Sequence, residues 1–276
     1  MSALGLIAGG GQLPVLIATG ARAEGRRLVV LGLRGHADEA ALAPFVPHWI
    51  RLGEGGRALA LSKAAGVTEL CMAGRVRRPS LAELRPDWWT LKQLPRLGFL
   101  RGGDDAVLQA IAALLAEHDI RIVGPETLLG SKLLLPAGVL GRYQPTAAHQ
   151  ADLNRALTVA CALGAVDVGQ GAVVQDGLVL AVEAIEGTDS MLNRTAALRR
   201  ADGGGVLVKA PKPQQDRRLD LPTLGPDTIA AAAAAGLDGV GGVAGGCLVV
   251  DLAATICAAD QAGLFLVGLD GDAVPT

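Results

Sequence analysis

The chain has 276 residues, half of them apolar and only 3% aromatic, which is enough to bury a sizeable core and to build two domains. A formal net charge of −2 excludes a nucleic-acid binder that works by bulk electrostatics. No run of about 20 apolar residues is present to span a bilayer, and the opening "LGLIAGGG", with no basic region or cleavage site, reads as cytoplasmic rather than secreted.

Strand and helix patterns alternate along the first part of the chain. "LGLIA" predicts a strand, "GGGQLP" a turn, "VLIATGARAEG" a helix and "RRLVVLGL" a second strand. "HWIRL" and "VTELCMAG" predict further strands on either side of the helix "GRALALSKAAG". "GGDDAVLQAIAALLAEHD" predicts a helix opened by Asp104 and Asp105, whose charge suits the positive end of the dipole. Its apolar stripe is Val107, Ile111, Leu114 and Leu115, and "IRIVG" closes the series. Such alternation predicts a Rossmann-like, mostly parallel sheet over residues 1–130. Residues 131–145 are rich in turn formers and are expected to be a linker. Beyond them "AAHQADLNRALTVACALG" predicts a helix, and Asp176-Gly177 between two apolar runs signals a hairpin. The helix "MLNRTAALRR", the strand "GVLVKA" and further alternation predict a mixed α/β domain over 146–276. The expected class is therefore α/β, in two domains.

Several stretches carry chemistry. Gly9, Gly10 and Gly11 between a strand and a helix would let bare N–H groups meet an anion, although a tight turn reads the same way. The run departs from a dinucleotide fingerprint at Pro14, and Arg34 stands near where an acidic residue would hold a ribose. An NADP-dependent oxidoreductase is the alternative this leaves open. In "AVEAIEGTDSMLNR", Glu183 lies on a strand apolar on both faces, so its carboxylate is expected to be buried and to need a partner. Arg194 would serve, and so would a hard cation or phosphate site built with Glu186, Thr188 and Asp189.

"VKAPKPQQDRRLDLPTLGPDT" sets Lys209, Lys212, Arg217 and Arg218 against Asp216, Asp220 and Asp227, with four prolines to stiffen it. Asp227 is either a helix cap or a metal ligand. Cations beside carboxylates that hold Mg²⁺ are the equipment of diphosphate cleavage. "MAGRVRRPS" places Arg75, Arg77 and Arg78 just past a strand end. "RPDWWTLKQLPRLGFLRGG" interleaves Trp88, Trp89, Leu91, Leu94, Leu97, Phe99 and Leu100 with Arg85, Lys92, Arg96 and Arg101. That pattern suits a membrane surface, an acyl-chain groove or packing against a neighbouring domain. Cys71, Cys161, Cys247 and Cys257 lie far apart and read as reduced core thiols, and the His spacing fits no zinc site.

In order along the chain, "GLIAGGGQLP", "AGRVRRPS", "GGDDAVL", "VEAIEGTDSML" and "GVLVKAPKPQQDRRLDLPTLGPDT" resemble the magnesium-dependent UDP-2,3-diacylglucosamine hydrolase (LpxI) family of lipid A biosynthesis. The resemblance covers nearly the whole chain. It implies Mg²⁺-dependent hydrolysis of the substrate's pyrophosphate to UMP and 2,3-diacylglucosamine 1-phosphate (lipid X). It further implies that water attacks the sugar-side phosphorus, that the lipid is held between two domains, and that an essential aspartate matches Asp227. Chemistry assigns the other roles as expectations. Asp227, with Glu183, Glu186 or Asp189, would hold Mg²⁺, or Mn²⁺ in its place. Lys209, Lys212 and Arg218 would screen the phosphates. Gly9, Gly10, Gly11, Gln12, Arg77, Thr188 and Asp189 would bind substrate. Peripheral contact with the inner membrane and a homodimer belong to the same expectation. A non-catalytic lipid or nucleotide carrier is the remaining alternative.

Overall fold

The computed structural model describes residues 3–77, 79–97, 103–200 and 204–270. Arg78, Phe99, Leu100 and Arg101, singled out above, lie outside the described residues. The chain forms two units, Met1–Gly130 with Asp216–Asp220, and Ser131–Gln215 with Leu221–Thr276.

In the first unit the strands β1 (Ala3–Ala8), β2 (Leu28–Leu33), β3 (His48–Ile50), β4 (Val67–Ala73) and β5 (Arg121–Ile122) are all parallel. Between them run the helices α1 (Leu13–Ala23), α2 (Glu39–Leu42), α3 (Gly55–Ala64), α4 (Leu81–Leu84), α5 (Trp88–Gln93) and α6 (Asp104–Ala116), and α7 (Pro125–Leu129) follows β5. Strand β1 is apolar at successive positions and buried along almost its whole length, as a parallel strand covered on both faces requires. The sheet order is β3-β2-β1-β4-β5, so the direction of winding reverses between β1 and β4. Ligands of open α/β sheets bind at the carboxyl ends of the strands beside such a reversal. Leu219, from the short Asp216–Asp220 segment, is buried in this unit's core with Leu59, Val67, Leu70, Ile120 and Ile122.

The second unit holds β6 (Gly138–Leu140), α8 (Ala147–Ala165), β7 (Gly171–Gln175), β8 (Leu178–Val182), α9 (Gly187–Thr195) and β9 (Val206–Lys209). It continues through β10 (Thr223–Leu224), α10 (Pro226–Ala234), β11 (Gly239–Val243), β12 (Leu248–Val249), α11 (Leu252–Ala262) and β13 (Phe265–Leu269). Six strands make a mixed sheet in the order β6-β13-β11-β9-β7-β8, and β10 pairs with β12 separately. The stretch 131–145, expected as a linker, instead belongs to this unit: β6 lies within it and pairs antiparallel with β13. A three-residue edge strand flanked by glycine is too short to show a period of two, which is why its sequence reads as turn.

The hairpin between β7 and β8 turns at Asp176 (φ 50°) and Gly177 (φ 74°), the positive φ pair that a two-residue type I′ connection demands. Buried Asp152 of α8 accepts the N–H groups of Asp176 and Gly177 at 2.8 and 2.7 Å, which fixes the turn to the core. The hairpin register then slips. Val174 faces Val179 but Val173 faces Ala181, so Leu180 is an extra, bulged residue. Because side chains alternate along a strand, this slip moves every residue after it to the opposite face.

Candidate active site

The consequence of the bulge is felt at Glu183. Its N–H donates to the Gly171 carbonyl at 2.8 Å, continuing the β7–β8 ladder one step past β8. Gly171 in turn pairs with Lys209 across β7 and β9. Glu183 and Lys209 therefore flank one glycine in a single row of the sheet, at the carboxyl end of β9. Were Leu180 paired in the regular register instead of bulged, Glu183 would stand opposite Gln170, on the other face. Gly171 makes room for the acid: a Cβ there would come within 2.7 Å of Glu183 Oε2.

Both charged groups are buried, Lys209 at 5% exposure and Glu183 at 7%, and Thr188, in the first turn of α9, links them. Lys209 Nζ donates to Thr188 Oγ1 at 2.8 Å and to the Thr223 carbonyl at 3.3 Å. The Thr188 hydroxyl donates to Glu183 Oε1 at 2.9 Å. An ammonium has three protons, so one stays uncommitted by these bonds. At the other end Glu183 Oε2 is buried and has no hydrogen-bond partner. Leaving a buried acceptor unsatisfied costs about 1–3 kcal/mol, and native structures tolerate this where a ligand, water or ion completes the site. The relay thus balances its charges but keeps one donor and one acceptor in reserve. Nearby, Gln170 Oε1 is also buried without a partner, and the Gln170 carbonyl accepts from Ala210 N–H at 2.9 Å.

Asp227 occupies the first turn of α10 and is exposed. It lies four positions after Thr223, whose carbonyl holds Lys209, so its Cα lies within roughly 14 Å of that anchor. Glu186 is held by Arg194 at 2.8 Å, and this guanidinium keeps its carboxyl below the usual carboxylate range. Arg194 also donates to the Val182 carbonyl at 2.6 Å, tying α9 to the end of β8. Asp189 is exposed. Among the described residues no three acidic, His or Cys side chains gather into a group that could hold a metal ion. Of the carboxylates expected beside Asp227, Glu186 is committed to Arg194, and the unpartnered oxygen of Glu183 could serve with Asp227 for a cation. That small set suits Mg²⁺, which is usually held by one or two carboxylates together with substrate phosphates and water.

The charged loop largely neutralises itself. Lys212, almost buried, pairs with Asp167, while its backbone N–H donates to Gln215 Oε1 at 3.1 Å. Gln214 Nε2 adds a bond to the Gly164 carbonyl at 2.9 Å. Arg218 grips Asp216 through Nε at 3.0 Å and Nη2 at 2.6 Å, lowering the carboxyl of Asp216. Mixed charge on a stiff loop is thus explained first by local pairing, and Lys209, at the end of β9 rather than in the loop, is the cation turned into the relay.

In the first unit the glycines have a different role from the anion cradle expected of them. Gly9 N–H donates to the Ala73 carbonyl at 2.8 Å, and Gly10 and Arg75 exchange N–H···O bonds at 2.9 Å each. These amides are spent on tying the β1 loop to the β4 loop. A Cβ on Gly9 would meet the Arg75 carbonyl oxygen at 2.7 Å, and one on Gly10 the His36 carbonyl oxygen at 2.9 Å, so close backbone passage requires both residues to be glycine. The start of α1 has no side-chain cap, which leaves Gly11 and Gln12 as the positions where an anion would meet the helix. The His36 carbonyl lies against Gly10, and burial, and then the nearby Arg77, push the His36 imidazole below the ordinary value. Arg77 itself pairs with Glu83 at 2.9 Å.

Sequence reasoning missed Gly171, Gln170, Thr223 and His36. Thr223 acts through its carbonyl, which leaves no trace in residue type; Gly171 was readable only with the bulged register in hand.

A Rossmann-like unit and a mixed-sheet unit that buries a lysine–threonine–glutamate relay at its strand ends define a two-domain α/β protein equipped for a polar, charged ligand. The chain belongs to the LpxI family: the model of the LpxI N-terminal domain matches residues 3–131 and that of the LpxI C-terminal domain matches residues 136–267. It is 47% identical, over 277 aligned residues and 98% of each chain, to the UDP-2,3-diacylglucosamine pyrophosphatase LpxI of Caulobacter vibrioides.

Proposed function

We propose that this protein hydrolyses the pyrophosphate bond of UDP-2,3-diacylglucosamine to UMP and 2,3-diacylglucosamine 1-phosphate. The activity for which its Caulobacter vibrioides relative is named supports the substrate. The observation that carries the chemistry is the relay, with an uncommitted Lys209 proton at one end and the unpartnered Glu183 Oε2 at the other. Cleaving a diphosphate requires neutralisation of its oxygens, and a fixed, desolvated ammonium supplies this without reorganisation. Lys209 donates its free proton to a phosphate oxygen, and Thr188 keeps the ammonium aimed. Mg²⁺, bound through Asp227 and Glu183, would add charge neutralisation and acidify a coordinated water. In the reaction a water oxygen bonds to the sugar-side phosphorus, the bond from that phosphorus to the bridging oxygen breaks, and UMP departs with that oxygen.

The test is to incubate the protein with substrate in ¹⁸O-labelled water, with Mg²⁺ or with EDTA, and to weigh both products. Metal-dependent products with the label in the lipid phosphate are expected. Label in UMP would overturn the point of attack, and equal turnover in EDTA would overturn the metal.

A further inference from the structure

We propose that α5 and its basic surroundings form a docking surface for an anionic lipid bilayer. The proposal goes beyond the hydrolase reading and stands without it. Trp88 is 71% exposed and Leu91 45% exposed; three residues apart on a helix, they share one face. The Lys92 ammonium lies 5.4 Å from the centre of the Trp88 ring.

The opposite side of α5 is anchored, so this exposure is not the looseness of an unpacked segment. Asp87 caps the helix, accepting from Thr90 N–H at 2.7 Å, and the buried Thr90 hydroxyl accepts from Gly55 N–H at 2.9 Å. Trp89 packs against the core of the first unit. The two adjacent tryptophans therefore divide their work, one inward and one out to solvent.

Charge selects the partner. In a chain whose net charge is −2, the stretch around α5 spends Arg77 on Glu83 and Arg96 on Glu117, and the cations next to Trp88 are Arg85 and Lys92. Asp87 is occupied by the helix cap, while Arg85 and Lys92 stand exposed on either side of Trp88. Two apolar side chains are too few for a stable protein interface, which buries about 800 Å² per partner. An amphipathic Trp and a Leu with a basic fringe match instead the headgroup layer of an anionic membrane.

The experiment is co-sedimentation of the full chain with phosphatidylcholine vesicles and with vesicles that also contain phosphatidylglycerol. Binding is expected to the anionic vesicles and to weaken in salt. The W88A/L91A variant should bind about tenfold more weakly, and R85A and K92A roughly fivefold more weakly each, all with unchanged melting. Turnover of detergent-dispersed substrate should also be unchanged in W88A/L91A. Wild type remaining in the supernatant with anionic vesicles, or W88A/L91A sedimenting like wild type, would overturn the proposal. Vesicle binding needs no turnover, so this result is independent of the proposed reaction.

Discussion

Replacing Thr188 by Val keeps the branched shape of the side chain and removes the hydroxyl on which the relay turns. The change deletes the bond accepted from Lys209 Nζ at 2.8 Å and the bond donated to Glu183 at 2.9 Å. Hydrogen bonds to charged groups are worth about 1.5–3 kcal/mol each, so the gross loss is about 3–6 kcal/mol. Some returns, because two buried opposite charges without their bridge can shift toward each other and pair directly. The expected net destabilisation is about 3 kcal/mol, a fall of roughly 10 °C in the melting of the second unit. Chemical and thermal denaturation of wild type, T188V and T188S measures it. T188S restores the hydroxyl and should recover most of the loss. A T188V protein within about 0.5 kcal/mol of wild type, or a T188S protein as unstable as T188V, would refute a role for the hydroxyl.

The K209M variant strands the buried Glu183 carboxylate and should cost about 3–5 kcal/mol. Adding E183Q should recover about 1–3 kcal/mol of that, and strictly additive effects in the double-mutant cycle would show the two groups uncoupled. The G171A variant places a Cβ 2.7 Å from Glu183 Oε2; it should cost about 1–3 kcal/mol and slow turnover at least tenfold, whereas unchanged turnover would remove Glu183 from the chemistry. Iodoacetamide at mildly alkaline pH should label native protein only at exposed Cys257, read by peptide mass. Burial pushes the Cys71 thiol up to about 12 and raises that of Cys161, so both stay protonated and unreactive, and rapid labelling of either would contradict the packing.

Much of the fold is legible in local pattern. Strands β1 and β2 are continuous apolar runs, α6 and α8 keep a helical period, and Asp176-Gly177 announces its hairpin. Features set by long-range pairing are not. Gly9 and Gly10 look like a phosphate loop in sequence, and only the backbone partners at Ala73 and Arg75 show that their amides are already used. Likewise β6 is three residues long and acquires its identity from β13. Leu219 lies in a loop that reads as polar, yet it is buried in the core of the first unit. The site shows the same division. Burial of Glu183 follows from the apolar run around it, but its meeting with Lys209 depends on one bulged residue, Leu180, that no residue type signals. Glu186 stands close to Glu183 in sequence, and only the structure shows that it is committed to Arg194.

Cleavage of a diphosphate in the second unit, at the site reached by Lys209, Glu183 and Asp227, is measured by the rate of UMP release from UDP-2,3-diacylglucosamine with Mg²⁺, for wild type and for D227N. Asp227 is exposed in the first turn of α10, so D227N should fold and melt like wild type and still bind substrate. Metal-dependent release by wild type and a loss on the order of 10³-fold in D227N are expected. Equal rates from the two proteins, or no release by folded wild type, would contradict cleavage at this site.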